Sequence, residues 1–128
     1  MPSQKRKFGD IGERIAQKYL KKKGYLIIER NYKKPWGEID IVGKKQGEIV
    51  FFEVKTRDAK NIEHYLPEYS VNHKKMRKLQ KICETYLLEN RYKTDQKWRI
   101  DVISLSIDKL AKKAKIKVFE NAVWEKQY

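Results

Sequence analysis

Residues 49–56 read Ile-Val-Phe-Phe-Glu-Val-Lys-Thr, the most apolar run in a chain of 128 residues, and two charged side chains interrupt it. Val50, Phe51, Phe52 and Val54 place apolar groups on both faces, the pattern of a strand covered on both sides and therefore central in its sheet. Glu53 and Lys55 are two apart, so a period of two sets both on one face, while Val54 between them points into the core. Charge in such a strand costs on the order of several kcal/mol unless it is paired or coordinates a metal.

Working outward, Lys44–Gly47 reads as a turn and Glu38–Val42 as a strand, with Ile39 and Ile41 alternating against Glu38 and Asp40. Before it come a turn at 33–37, containing Pro35 and Gly37, and a β-rich run from Tyr25 to Arg30. From Phe8 to Lys23 the apolar residues Phe8, Ile11, Ile15, Tyr19 and Leu20 recur at helical spacing, with Asp10 available as a cap and Gly24 as a stop. Downstream, Asp58–Ser70 has no period and contains Pro67, Tyr65 and Tyr69, so it reads as a long, mobile, functional loop. Met76, Leu79, Ile82, Cys83, Tyr86 and Leu87 then define a second amphipathic helix beginning near His73. Lys74, Lys75, Arg77, Lys78 and Lys81 fill the rest of its surface. Strands follow at Trp98–Ile107 and Ile116–Phe119, joined by a lysine-rich connection or short helix at Asp108–Lys115. The expected architecture is one α/β domain over residues 1–128, a mixed central sheet flanked by two amphipathic helices.

The chain carries 31 Lys plus Arg against 17 Asp plus Glu, a formal charge of +14. Such an excess draws in polyanions and holds them by counterion release, which makes DNA the leading partner and RNA the next. A ribosome-associated or membrane-surface protein would share the excess, so motifs must separate these classes. No stretch approaches the roughly 20 apolar residues of a membrane span, and the basic start is not followed by an apolar segment. Cys83 is the single cysteine, which excludes an internal disulfide, and His64 and His73 lack zinc-finger spacing relative to it. The expected location is a reducing cytoplasm, with no membrane partner.

Asp40, Glu53 and Lys55 stand where apolar residues are expected, and Glu13 lies on the flank of the first helix. Two carboxylates placed side by side repel each other unless a hard divalent cation sits between them, so Asp40 and Glu53 suit Mg²⁺ (or Mn²⁺). Lys55 would then orient a water or offset charge on a phosphodiester. The alternative is an ordinary Glu53–Lys55 salt bridge with Asp40 capping a turn. Arg57, Lys74, Lys75 and Lys78 are candidates for phosphate contact. Trp36 could stack on an unpaired base or pack over a neighbouring strand. Asp101, with Arg99 on the same face, reads as a structural ion pair.

Gly37-Glu38-Ile39-Asp40-Ile41-Val42 followed by Glu53-Val54-Lys55-Thr56-Arg57 resembles the signature of the YraN (UPF0102) family. The likeness continues through Gly9-Asp10-Ile11-Gly12-Glu13, Tyr19-Leu20, Arg30-Asn31 and Arg99-Ile100-Asp101-Val102. Two features depart from that family's pattern: no glycine lies between Asp58 and Ser70, and Met76 stands where glutamine is frequent. The family in turn resembles the PD-(D/E)XK nuclease superfamily and is similar to archaeal Holliday junction resolvases. That resemblance implies a restriction-endonuclease-like fold, catalytic roles for Glu13, Asp40, Glu53 and Lys55, and a metal on Asp40 and Glu53. It also implies a metal-dependent DNA endonuclease acting on branched DNA, for which symmetric cutting would favour a homodimer. The rival is a catalytically silent DNA- or RNA-binding module of the same fold.

Overall fold

A strand that is apolar on both faces needs cover from both sides, and two helices supply it. The computed structural model describes residues 4–59 and 73–121. Helix α1 (Gln4–Lys22) precedes strands β1 (Leu26–Lys34), β2 (Gly37–Lys45) and β3 (Glu48–Asp58); α2 (His73–Glu89), β4 (Trp98–Asp108) and β5 (Lys113–Phe119) follow. The five strands form one mixed sheet in the order β1-β2-β3-β4-β5, with β3 in the middle. Only the β3–β4 pair is parallel, and a parallel neighbour requires a crossover, here the segment that contains α2.

Ile49 and Phe51 of β3 pack with Met76, Leu79, Ile82, Cys83 and Tyr86 of α2. Val50 and Phe52, one residue out of phase, pack with Ala16 and Leu20 of α1 on the opposite face. The architecture is therefore α/β with a mixed sheet between two helices, compatible with a restriction-endonuclease-like fold. Cys83 is fully buried in the α2 layer, and burial pushes its thiol well above the usual range, so it behaves as a small apolar side chain.

Turn chemistry fixes the hairpins. Pro35 and Trp36 alone separate β1 from β2, so both strands run further than the sequence reading allowed. Gln46 (φ 51°) and Gly47 (φ 78°) between β2 and β3 both lie in the left-handed region, as the two central residues of a type I′ turn do. Gly24 (φ 94°) stops α1 as expected: its amide bonds the Lys21 carbonyl and the Tyr25 amide the Leu20 carbonyl.

The structure corrects two helix readings. Asp10 is interior to α1, because Gln4–Lys7 are good helix formers that extend the helix upstream. Leu20, Ile15 and Tyr19 pack against the sheet as expected, but Ile11 is exposed and the small residues Gly12 and Ala16 are buried there instead; small residues let the helix come close to the sheet, a preference that a search for large apolar residues overlooks. The loop reading of Asp58–Ser70 falls mostly outside the described residues, although Asp58 itself ends β3. Among the described residues no helix is long and apolar enough to cross a membrane.

A Cβ at Gly12 would meet Thr56 Oγ1 at 1.8 Å and Thr56 Cβ at 2.9 Å. In an exposed helix Gly→Ala gains up to about 1 kcal/mol of propensity, but overlap with a β-branched side chain rooted in the sheet exceeds that. Gly12→Ala should lower stability by about 1–3 kcal/mol in urea titration. Adding Thr56→Ala should restore most of the loss. A Gly12→Ala protein more stable than the parent would show that α1 does not pack this closely.

Candidate functional site

Strand β2 pairs with β3 from Lys45↔Glu48 to Ile41↔Phe52 and no further. Beyond Phe52, β3 continues to Asp58 with β4 as its only ladder partner among the described residues, so β2 and β3 part at a fork. The fork coincides with a break in strand alternation. Arg30 reaches Gln17 of α1 (3.4 Å) whereas Tyr32 donates to Glu89 of α2, although residues two apart on a regular strand share a face. Asn31 between them has φ 51°. Across the ladder Ile41 packs in the α1 layer and Ile39 in the α2 layer. The sequence reading set Ile39 and Ile41 on one face; the twist at Asn31 and Asp40 puts them on opposite faces.

Where the ladder stops, Val54 N–H has no strand partner, and Asp40 Oδ2 accepts its hydrogen bond at 2.7 Å. Asp40 is thus neither a turn cap nor at an outer sheet edge; it closes an internal fork. Burial pushes its carboxyl up to about 7, with the charges of Glu53, Glu13 and Glu38 adding to the rise and the Val54 amide opposing it. Glu53 and Lys55 share the α2-facing side of β3, as expected from their spacing.

The ion pair at Glu53 is with Lys75 of α2, 3.6 Å from its Oε1, so Lys75 belongs to the site rather than to a generic basic surface. Lys55 is pushed down to about 8, first by burial and then by the charge of Lys75 and a hydrogen bond with it, against the pull of Glu53 and Asp40. Glu13 approaches from the α1 side, where Gly12 rests on Thr56. It hydrogen-bonds Asn31 and has its pKa raised mainly by burial.

The fork therefore gathers Glu13, Asp40, Glu53, Lys55 and Lys75 within electrostatic reach. Among the described residues no three of His, Cys, Asp and Glu are placed to hold one metal ion, which leaves Asp40 and Glu53 as a two-carboxylate pair. The other candidates lie apart. Lys74 and Lys78 are exposed on α2, and Trp36 is half-exposed in the first hairpin with Lys81 Nζ 6.0 Å from its ring. Arg57 donates to Ser104 Oγ at 2.9 Å. Arg99 and Asp101 do form an ion pair (3.0 Å), extended by Glu48, Tyr25 and the Asn121 amide. Asn31 was visible only as part of a resemblance, although asparagine is the residue most tolerant of φ > 0 after glycine.

The model of the uncharacterised protein family UPF0102 matches residues 12–105, from Gly12 to Leu105 within β4. The chain belongs to the UPF0102 family. It is similar to a UPF0102 protein of Alkaliphilus oremlandii, 43% identical over 119 residues covering 91% of this chain and 97% of the relative. It is also similar to one of Caldanaerobacter subterraneus, 40% identical over 104 residues covering 81% and 83%. A third relative, from Fervidobacterium nodosum, is 42% identical over 119 residues covering 90% and 80%. All four acids and amines of the proposed catalytic set fall inside the segment matched by UPF0102.

Asp40 makes stability depend on pH. The folded carboxyl keeps its proton up to about 7, whereas the unfolded chain releases it near ~3.9. The folded state binds more protons in that window, so the stabilisation is complete below the unfolded value and lost as pH rises through about 7. Asp40→Asn keeps an acceptor for Val54 without the charge. In chelator, its stability advantage over wild type should grow from near zero at about pH 4 to about 2–4 kcal/mol at about pH 8. A difference that stays constant across this range would refute the raised pKa.

Proposed function

We propose that this UPF0102 protein is a metal-dependent nuclease of the PD-(D/E)XK kind that hydrolyses phosphodiester bonds in nucleic acid, DNA first, in the cytoplasm. The observation that carries the reading is the fork: two carboxylates from adjacent strands, Asp40 and Glu53, with Lys55 two residues along the same face. A structural ion pair balances one acid with one base, but Asp40 has no ion-pair partner among the described residues, and Lys55 faces a second lysine as well as the charges of Glu53 and Asp40.

The donor set fits a hard divalent cation. Asp40 and Glu53 offer anionic oxygens, and the Asp40 pKa is raised first by burial and then by the neighbouring charges of Glu53, Glu13 and Glu38, which a bound cation would offset. These two residues would hold Mg²⁺ or Mn²⁺, which supplies Lewis acidity toward phosphate oxygens and a lowered pKa for a bound water. Lys55 faces the same space and offsets negative charge that develops on the phosphate. Lys75 orients Glu53 through their ion pair. Glu13, hydrogen-bonded to Asn31, steadies the twisted backbone on the other side of the fork.

The likeness of Glu53-Val54-Lys55 and its surroundings to Holliday junction resolvases points to branched DNA as substrate, and a symmetric junction would suit a homodimer. A silent binding module of the same fold would equally show the Lys75–Glu53 contact.

The test offers four-way DNA junctions, duplex DNA and RNA with Mg²⁺ or Mn²⁺. Wild type should cut DNA, junctions best; Asp40→Ala and Glu53→Ala should bind but not cut. Lys55→Met should lower single-turnover cleavage by about a hundredfold. Its melting temperature should stay within a few degrees of wild type, because the charge removed is one that Lys75 already opposes. Wild-type protein that binds DNA and cuts no substrate with either metal would establish the silent module instead. A strongly destabilised Lys55→Met would assign Lys55 to the fold.

A further inference from the structure

The α2-facing side of the sheet carries polar rows that run across β3, β4 and β5, beyond the fork. In one row Lys55 is beside Ser104 and Ser104 beside Lys117; in the next, Arg57 is beside Ser106 and Ser106 beside Lys115. Arg57, Ser104, Ser106, Lys115, Ile116 and Lys117 line a groove of about 290 Å³. Three of these six are cations and none is acidic.

Behind the groove the other face of β4 is apolar, where Ile103, Leu105 and Ile107 are buried. On the groove side the same strand places two hydroxyls, Ser104 at 4% and Ser106 at 7% exposure. Ser104 Oγ accepts from Arg57 Nη2 at 2.9 Å, while the buried Ser106 Oγ has no hydrogen-bond partner among the described residues. Lysines on an edge strand guard against pairing with other sheets, which accounts for Lys113, Lys115 and Lys117 as a row. It does not account for inward hydroxyls at core positions, one of them without a partner. A buried hydroxyl without a partner at the foot of three cations is a donor placed for an anion.

We propose that this groove is a phosphate-binding subsite that holds a second phosphate of the nucleic-acid strand, next to the one facing Lys55. The proposal rests on the nuclease reading for its polymer and adds the direction in which the strand runs: from the fork, across β4, to the edge at β5. Two residues along β3 separate Lys55 from Arg57 by about 7 Å, so the two positions do not compete for one phosphate. Arg57 and the lysines supply charge; the Ser106 hydroxyl donates to a phosphate oxygen.

Binding in chelator tests the groove apart from catalysis. Fluorescent single strands with a 5′-phosphate or a 5′-hydroxyl, and inorganic phosphate, are titrated into wild type, Lys115→Ala/Lys117→Ala, Ser106→Ala and a control of equal charge loss on α1, Lys21→Ala/Lys22→Ala. The groove pair should bind oligonucleotide about tenfold more weakly than the control and lower the salt slope by about two. Ser106→Ala should melt no lower than wild type, since a buried hydroxyl without a partner is removed, and still lose affinity several-fold.

Where the groove variants do lose affinity, a preference for the 5′-phosphorylated strand assigns the subsite to a terminal phosphate, and equal binding of the two strands to an internal one. Wild type binding oligonucleotide while both groove variants match the control overturns the subsite and leaves the nuclease reading intact. Wild type binding no oligonucleotide overturns both. Inorganic phosphate shifting the Ser104, Ser106 and Lys117 amide signals when oligonucleotides do not would overturn the nucleic-acid source.

Discussion

One backbone amide organises this molecule. Val54 N–H sits where β3 has outrun β2, in a strand covered on both faces, and an unsatisfied buried donor costs about 1–3 kcal/mol. The Asp40 carboxylate takes it at 2.7 Å. To do so the acid must be carried into the gap, and the chain manages that by twisting: Asn31 at φ 51° turns β1, and β2 follows, so that Ile39 and Ile41 enter different layers. Closing the fork thus obliges the fold to bury a carboxylate. The electrostatic character of the site follows from a requirement of the sheet.

That requirement leaves the fork locally acidic in a basic protein. The overall charge is +14, yet the Debye length of about 8 Å at physiological salt means that distant lysines do little for Asp40. Lys55 and Lys75 stand close to the acids, and they also repel each other. Two acids and two amines held in one cleft are frustrated: burial opposes the charges of Asp40 and Lys55, Glu53 adds to the rise at Asp40 and Lys75 to the fall at Lys55, and neither Asp40 nor Lys55 settles at its ordinary pKa. A surface ion-pair network would relax such strain into solvent. Here the twist and the Val54 hydrogen bond hold Asp40 in place.

The sequence made the frame readable because burial writes itself into periodicity. The doubly apolar run at 49–54 announced the central strand, Met76 to Tyr86 announced α2, and Gly24 the end of α1; all three stand in the structure. Glu53 and Lys55 were legible as a same-face pair for the same reason. Asp40 was legible as an oddity but not in its role, because alternation assumes a regular strand and the break at Asn31 is a backbone event with no apolar signature. Lys75 looked like any other lysine of a basic helix; only the register of α2 on the sheet selects it over Lys74 and Lys78 for Glu53. The Gly12 contact was hidden because a buried stripe of small residues has low hydrophobicity, so Ile11 drew the helix face away from its true direction.

β3 divides structural and chemical work along its own length. Its first half, Ile49 to Phe52, is buried between the two helices, and from Glu53 onward every residue is partly accessible. The change falls at the point where β2 leaves. A strand flanked by neighbours on both sides fills its faces with apolar groups, because every backbone group is already paired. A strand with one neighbour has an open side, and there polar side chains serve both the backbone and whatever enters. The run from Phe51-Phe52 to Glu53-Val54-Lys55-Thr56-Arg57 therefore reads as a single physical transition from core to cleft. The adjacent ladder with β4 is unbroken from Ile49↔Trp98 to Asp58↔Ile107 and ties the second half of β3 to the sheet. Functional side chains on such a continuous ladder are held to the accuracy of the sheet itself.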